Sequence, residues 1–348
     1  MVIITKNIVS ELASYLSLHK HDKVFVLTDT NTREKCFPLL ASVLAPVSTE
    51  IISIEAGDTH KDITQVIAIW DVLSRSGASR NSLLINIGGG MVTDLGGFAG
   101  ATFKRGLHNI NIPTTLMASV DAAVGGKTGI NFNGLKNEIG SFYQPECVMI
   151  DCSFLKTLDR DNILSGYAEM LKHGLISDQK SFNEVLAFDT ENPDFDKLNE
   201  LVNTSVSIKE RIVTEDPKEL GIRKALNFGH TVGHALESLS FAQNRPMLHG
   251  HAIAAGMICE LYMSHKSCNM PIDTVRQVTH FIKEQYPPFI FDCNDYEAIY
   301  NYMTHDKKNE GDQILFTLLG NIGDIRINQI ISKDLILESL DFYRENIC

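Results

Sequence analysis

No C-x-x-C pair occurs among the seven cysteines, at positions 36, 147, 152, 259, 268, 293 and 348. Their scatter and odd number exclude a disulfide framework and a cysteine zinc site. Reduced thiols in a reducing compartment are expected. No run of 18 apolar residues appears, so no membrane-spanning helix is predicted. The N-terminal stretch MVIITKNIVSELASYLSLHK has polar residues every few positions and lacks the apolar centre of a signal peptide. These absences predict a cytoplasmic chain with no membrane partner. Excess positive charge is missing too: 31 Lys and Arg stand against 43 Asp and Glu, a formal net charge of −12. Nucleic-acid binding has no support in that balance. An acidic chain repels anions at long range, so one that binds a phosphate must gather its lysines locally. Internal repeats and low-complexity segments are absent as well.

What is present is a 348-residue chain with 44% hydrophobic and 21% charged residues, ordinary for a globular protein. The length exceeds the usual single domain and predicts two. Residues 1–155 alternate short Val- and Ile-rich runs with amphipathic stretches. Candidate strands lie at 23–27, 50–54, 83–87, 109–112 and 147–150. Residues 63–73 carry Ile63, Val66, Ile67, Trp70 and Leu73 at helical spacing, a core-packing stripe. This pattern predicts a Rossmann-like α/β nucleotide-binding domain with a largely parallel sheet. From there to residue 348 helical periodicity dominates, through 201–213, 225–239, 252–264 and 274–286, where Pro287-Pro288 follows. Residues 156–348 therefore read as an all-α domain. One strand-like run at 313–319, ending at Gly320, is a candidate hairpin with 324–327. An active site in the cleft between the domains is the default expectation.

Three segments carry chemistry. The run 83–87 enters Gly88-Gly89-Gly90, and glycines at a strand-to-helix turn let backbone N–H groups approach a phosphate. The spacing is not G-x-G-x-x-G, because Thr93 holds the third glycine position. Gly96, Gly97 and Gly100 suit close helix packing equally well. Gly125-Gly126-Lys127-Thr128 resembles a P-loop tail, but Asp121 stands where the loop's first glycine belongs, so ATP binding is poorly supported. Lys136-Asn137, Lys172, Lys209, Arg223, Asn227 and Lys307-Lys308 follow, and several lie beside glycines or histidines, which is less usual for surface lysines. Last, the stretch from Asn227 through Gly229, His230, Gly233 and His234 to Glu237 precedes His249-Gly250-His251. His230 and His234 share a helix face at i, i+4, as Glu169 and His173 do. Imidazole is a common zinc ligand, but such pairs also occur as ordinary helix histidines. The sequence alone does not choose three ligands from Glu169, His173, His230, His234, His249 and His251.

Taken together, the blocks G-G-G-x-x-x-D, P-T-T-L, V-D-x-x-x-G-G-K-T, K-N-x-I-G, A-E-x-x-K, N-F-G-H-x-x-G-H-A and H-G run in order from about Asp29 to Lys308. As a set they resemble the 3-dehydroquinate synthase family of the shikimate pathway. The resemblance implies an N-terminal α/β NAD domain, a C-terminal helical metal-binding domain and a homodimer. It implies that Glu169, His230 and His249 hold a metal, normally zinc with cobalt as an alternative, while His234 handles protons. NAD contacts would come from Asp29, Asn31, Asp58, Lys61, Gly89, Gly90, Asp94, Thr114, Thr115, Asp121, Thr157 and Leu158. Arg105, Lys127, Lys136, Asn137, Arg223, Lys307 and Lys308 would bind the carboxylate and phosphate of a phosphorylated sugar acid. Lys172, Lys209, His234 and Asn227 would serve catalysis.

The implied reaction takes 3-deoxy-D-arabino-heptulosonate 7-phosphate to 3-dehydroquinate and phosphate. It proceeds by transient oxidation, phosphate loss, re-reduction and aldol closure. Three departures stand out: Gly134-Leu135 in place of the usual L-G, His251 in place of a glutamate, and Glu55-Ala56-Gly57-Asp58 in place of P-x-G-E. Rival readings are another sugar phosphate cyclase, a metal-dependent polyol dehydrogenase, and a non-catalytic NAD-binding protein.

Overall fold

The computed structural model describes residues 1–133, 135–304 and 313–347. The chain divides into two compact units, Met1–Asp159 with Phe195–Val206, and Arg160–Asp194 with Ser207–Cys348. The boundary expected after residue 155 lies instead at Asp159/Arg160. The 3-10 turn Cys152–Thr157 stays with the first unit, its start capped by the Asp151 side chain. The first half of the helix Phe195–Glu215 also groups with the first unit. No local sequence pattern announces that return.

The first unit is built on β1 (Val2–Thr5), β2 (Val24–Asp29), β3 (Thr49–Ile54), β4 (Leu83–Gly88), β5 (His108–Pro113), a hairpin of β6 (Lys127–Phe132) with β7 (Leu135–Phe142), and β8 (Cys147–Asp151). Six of these form a sheet in the order β1-β8-β5-β4-β2-β3, with every neighbouring pair parallel. Every residue of β2 and β4 is buried, because both sheet faces are covered. Val24 and Val26 pack with Ile8, Leu12 and Leu40 on one face, while Phe25 and Leu27 pack with Val66, Ile69 and Leu95 on the other. From β2 the chain steps to β3 at one edge, then resumes at β4 on the other side of β2. The strand order thus reverses between β2 and β4, where open parallel sheets bind ligands at their carboxyl ends.

The β6–β7 hairpin was not expected. Its strands are glycine-bearing, and a Cβ on Gly140 would lie 2.2 Å from the Thr128 carbonyl oxygen. Close approach of two backbones hides the hydrophobic alternation that would otherwise mark a strand.

The second unit holds the helices Arg160–Ser177, Gln179–Leu186, His230–Ala242, His249–Cys268, Ile272–Gln285, Tyr296–Thr304 and Lys333–Ile347. It is not all-α. β9 (Leu315–Asn321) and β10 (Asp324–Ile330) form the antiparallel hairpin suggested at 313–327. Gly323, at φ +77, makes its turn. The hairpin is bonded to the helices: Leu319 N–H donates to Ser264 Oγ at 3.0 Å, and Gly323 N–H to the Leu175 carbonyl at 2.9 Å. The helix expected from residue 225 starts only at His230, because Gly229 takes a left-handed φ of +79. His249–Cys268 is buried nearly all round, as a helix at the centre of a bundle is. No described helix is long and apolar enough to cross a membrane.

Candidate active site

Glu169 lies on the helix Arg160–Ser177, His230 and His234 on His230–Ala242, and His249 opens His249–Cys268. Glycines bring these helices to backbone contact. A Cβ on Gly250 would stand 1.8 Å from the Ser165 carbonyl oxygen, one on Gly256 2.1 Å from that of Gly229, and one on Gly233 2.9 Å from that of Ala252. Only a residue without a side chain fits there. Gly250 thereby sets His249 beside the helix that carries Glu169.

Glu169 and Lys172 are wholly buried, and Lys172 Nζ donates to Glu169 Oε2. The other oxygen, Oε1, is buried with no hydrogen-bond partner among the described residues. It faces His230 Nε2 at 3.6 Å and His249 Nε2 at 3.8 Å. These separations are too long for hydrogen bonds. They are close to the roughly 3.4 Å between two ligand atoms on one tetrahedral zinc. His230 Nδ1 lies 3.1 Å from the Phe228 carbonyl oxygen, and His249 Nδ1 lies 3.4 Å from Glu237 Oε2. With Nδ1–H donating in both rings, the Nε2 lone pairs point toward Glu169. A buried carboxylate oxygen facing two lone pairs is costly unless a cation stands among them. The donor set therefore fits a divalent metal.

His234 borders the same group. Ligand nitrogens of His230, His234 and His249 fall within 4.8 Å of one another, and the His230 and His234 ring centroids are 5.2 Å apart. His251 turns elsewhere: its Nε2 lies 3.2 Å from the Asp161 carbonyl oxygen, and its ring meets Tyr286 edge-on at 5.5 Å. Glu237 was given no role from the sequence, although it stands two residues beyond the N-F-G-H-x-x-G-H-A motif. Its place two turns beyond His230 on one helix face was the signal available.

The second unit also buries Lys209 and Arg223. Arg223 Nη1 donates to the Pro217 carbonyl at 2.7 Å, and Asn227 Nδ2 donates to Glu219 Oε1 at 2.7 Å. The Asp216 carboxylate shapes this turn, accepting from the N–H groups of Leu220, Gly221 and Arg223. Lys307 and Lys308 lie outside the described residues.

In the first unit nearly every predicted NAD contact follows the carboxyl end of a strand. Asp29 ends β2, Asp58 and Lys61 follow β3, Gly89 and Gly90 follow β4, Thr114 and Thr115 follow β5, and Thr157 and Leu158 follow β8. Asp121 sits in the π-helical turn Ala118–Ala122. A Cβ on Gly89 would lie 3.1 Å from Thr115 Cγ2, and one on Gly90 3.0 Å from Ala122 Cβ. The helix Gly90–Thr102 thus begins in a cradle without side chains, which suits a phosphate at its N-terminus. Burial pushes the Cys36 thiol up, and the side chains of Thr157 and Thr114 oppose that shift. Asp29 is partly committed to structure: its carboxylate caps the helix Thr30–Lys35 by accepting from Thr32 N–H at 2.7 Å. Asn31 is exposed beside it.

Lys61 Nζ donates to Asp94 Oδ2 and to Asn137 Oδ1, each at 2.5 Å. Lys136 Nζ lies 3.1 Å from Asp58 Oδ2. Burial pushes the Asp94 carboxyl up, and the Lys61 ammonium opposes that shift. Lys136 and Asn137, expected to bind substrate, therefore lie among residues expected to bind NAD. Asn131, which the sequence reading missed, ties them together by donating to the Asp58 carbonyl and accepting from Asn137 N–H. Lys127, at the start of β6, is exposed. Arg105 is also exposed and follows Lys104 in the left-handed region, at φ 67 and 49, a conformation that ordinary side chains rarely adopt.

The fold is shared with two solved carbocycle-forming synthases. It matches 2-deoxy-scyllo-inosose synthase, solved with carbaglucose-6-phosphate, NAD+ and Co2+, at TM-score 0.87 and 24% identity over 99% of this chain and 96% of that one. It matches the 2-epi-5-epi-valiolone synthase ValA of Streptomyces hygroscopicus, with NAD+ and Zn2+ bound, at TM-score 0.89 and 22% identity over 99% and 96%. Residues 51–165 match the family described as 3-dehydroquinate synthase N-terminal, and residues 166–309 match 3-dehydroquinate synthase C-terminal. A 3-dehydroquinate synthase of Parabacteroides distasonis is 64% identical over 345 residues, 99% of this chain and 98% of the relative. One of Clostridium tetani is 37% identical over 291 residues, 82% and 76% of the two chains. The chain belongs to the 3-dehydroquinate synthase family.

Proposed function

We propose that the chain performs the reaction for which its family is named, converting 3-deoxy-D-arabino-heptulosonate 7-phosphate to 3-dehydroquinate and phosphate. The single observation that carries the metal-dependent part is Glu169 Oε1, buried without a hydrogen-bond partner among the described residues and facing two imidazole Nε2 atoms. When bound, NAD supplies a hydride acceptor and donor, and a zinc or cobalt ion supplies a Lewis acid. Glu169, His230 and His249 are the residues to hold the metal. Lys172 balances the buried Glu169 charge and fixes its orientation. His234, partly exposed beside the ligands, is the group placed to take or give a proton. Lys209 and Arg223, cations withdrawn from water, are matched to substrate anionic groups, and Asn227 to their orientation. In the first unit the start of the helix at Gly89 and Gly90 is matched to the pyrophosphate. Asp58, Lys61, Asp94, Thr114 and Thr115 are matched to the rest of NAD, with Asp29, Asn31, Asp121, Thr157 and Leu158 completing the set. Arg105, Lys127, Lys136 and Asn137 are that unit's candidates for substrate charge.

The test is phosphate release from the heptulosonate phosphate with NAD far below substrate concentration. Many phosphates per NAD, with no NADH accumulating, are expected. NADH accumulating in step with turnover would make the chain a dehydrogenase. No phosphate release with metal and NAD both bound would refute the substrate.

We also infer a cytoplasmic homodimer. The free thiols of Cys36, Cys147, Cys152 and Cys259 suit a reducing compartment, and the family resemblance supports the dimer. Light scattering is expected to give twice the chain mass, and a monomer at micromolar concentration would remove the inference.

A further inference from the structure

Glu260 is wholly buried on the helix His249–Cys268, and the proposed chemistry does not use it. Its Oε2 accepts from Gly229 N–H at 2.6 Å, and its Oε1 accepts from Val232 N–H at 3.1 Å. Both donors belong to the start of the helix His230–Ala242. That helix has no side-chain cap of its own, because its N-cap is Gly229. The first N–H groups of a helix lack intrahelical partners and carry partial positive charge. A carboxylate from a neighbouring helix meets that need, and the helix end in turn stabilises a buried anion.

His230 lies between the two residues that Glu260 holds. With the backbone fixed on either side and Nδ1 beside the Phe228 carbonyl, the ring is left with Nε2 toward Glu169. Gly256, one turn before Glu260 on its helix, makes the approach possible, since its Cβ would collide with the Gly229 carbonyl oxygen at 2.1 Å.

We propose that Glu260 is a positioning residue for the metal centre, fixing the helix start so that His230 is preset before the metal arrives. The inference rests on His230 being a ligand.

Glu260→Gln keeps the size but sets an amide against N–H donors. Zinc affinity, read by chelator competition, is expected to fall about 10- to 100-fold, as for other groups that orient ligands. KM at saturating zinc should stay unchanged, the absorption spectrum of the cobalt-loaded protein should shift, and Glu260→Asp should recover part of the affinity. Lower thermal stability with wild-type zinc affinity would mean a structural cap only and would overturn the proposal. His230→Ala separates the two ideas. If it binds zinc as wild type does, the ligand assignment fails. If it loses zinc while Glu260→Gln keeps full affinity, only the role of Glu260 fails. Should Glu260→Gln not fold, hydrogen exchange on metal-free wild type decides. Gly229 and Val232 amides are expected to exchange as slowly as those of the helix interior, and exchange at the rate of open amides overturns the proposal.

Discussion

Glu169→Gln should give a folded protein that keeps no metal through dialysis and has almost no turnover. The neutral amide still offers an oxygen to Lys172, so the buried ammonium retains a partner. What disappears is the negative charge facing the two Nε2 atoms. Lewis-acid stabilisation is worth several kcal/mol, so its loss should slow the reaction by about a thousandfold or more. Glu169→Ala is the poorer experiment. It strands the buried Lys172 charge, a change that costs about 3–5 kcal/mol by itself. His249→Ala is the better companion, because that side chain is 32% exposed and its removal leaves the buried Glu169–Lys172 pair intact. Metal content, thermal melting and phosphate release should be read on the same samples. A Glu169→Gln protein that holds stoichiometric zinc at wild-type affinity would remove Glu169 from the ligand set.

Gly250→Ala should be the most damaging single methyl group in the second unit. The new Cβ would stand 1.8 Å from the Ser165 carbonyl oxygen, a backbone atom that no rotamer change can move. Relief requires the helices His249–Cys268 and Arg160–Ser177 to separate. Overpacking usually costs about 1–3 kcal/mol, and a backbone-to-backbone collision belongs at or above the top of that range. The same separation draws His249 away from Glu169, so stability and zinc affinity should fall together. A melting curve and a chelator titration check this. Wild-type zinc affinity in the variant would mean that the helices absorb the methyl without moving the ligands. Gly100→Ala, inside a helix of the first unit, is the control, since the nearest atom to its Cβ would be Asn109 Nδ2 at 3.7 Å.

The parallel sheet was legible because its strands are short, Val- and Ile-rich and separated by helical spacing. The expected runs at 83–87 and 147–150 correspond to β4 (Leu83–Gly88) and β8 (Cys147–Asp151). β1 (Val2–Thr5) was hidden, since four half-buried residues at an edge give little pattern. The β6–β7 hairpin was hidden by its glycines, Gly129 and Gly140, where the two backbones approach. In the site, the i, i+4 pair His230 and His234 was plain, but helical spacing alone could not rank Glu169 against it. That ranking depends on which helices touch, and the contact is set by Gly250, Gly233 and Gly256, whose sequence signature is merely small size. Glu260 was invisible as a partner for the same reason: it acts on backbone N–H groups of another helix.

A joint made of backbone against backbone has no rotamers to re-optimise. At Gly233, Gly250 and Gly256 the three helices offer nothing that can be resized without moving a whole element. A lineage that needed a different substrate would find this part of the protein closed to gradual change. Variation is open where side chains rather than backbones make the contacts, as at Arg223 and Asn227. Directed evolution of this chain toward another sugar phosphate should therefore accumulate its useful substitutions at such positions and leave the glycines intact.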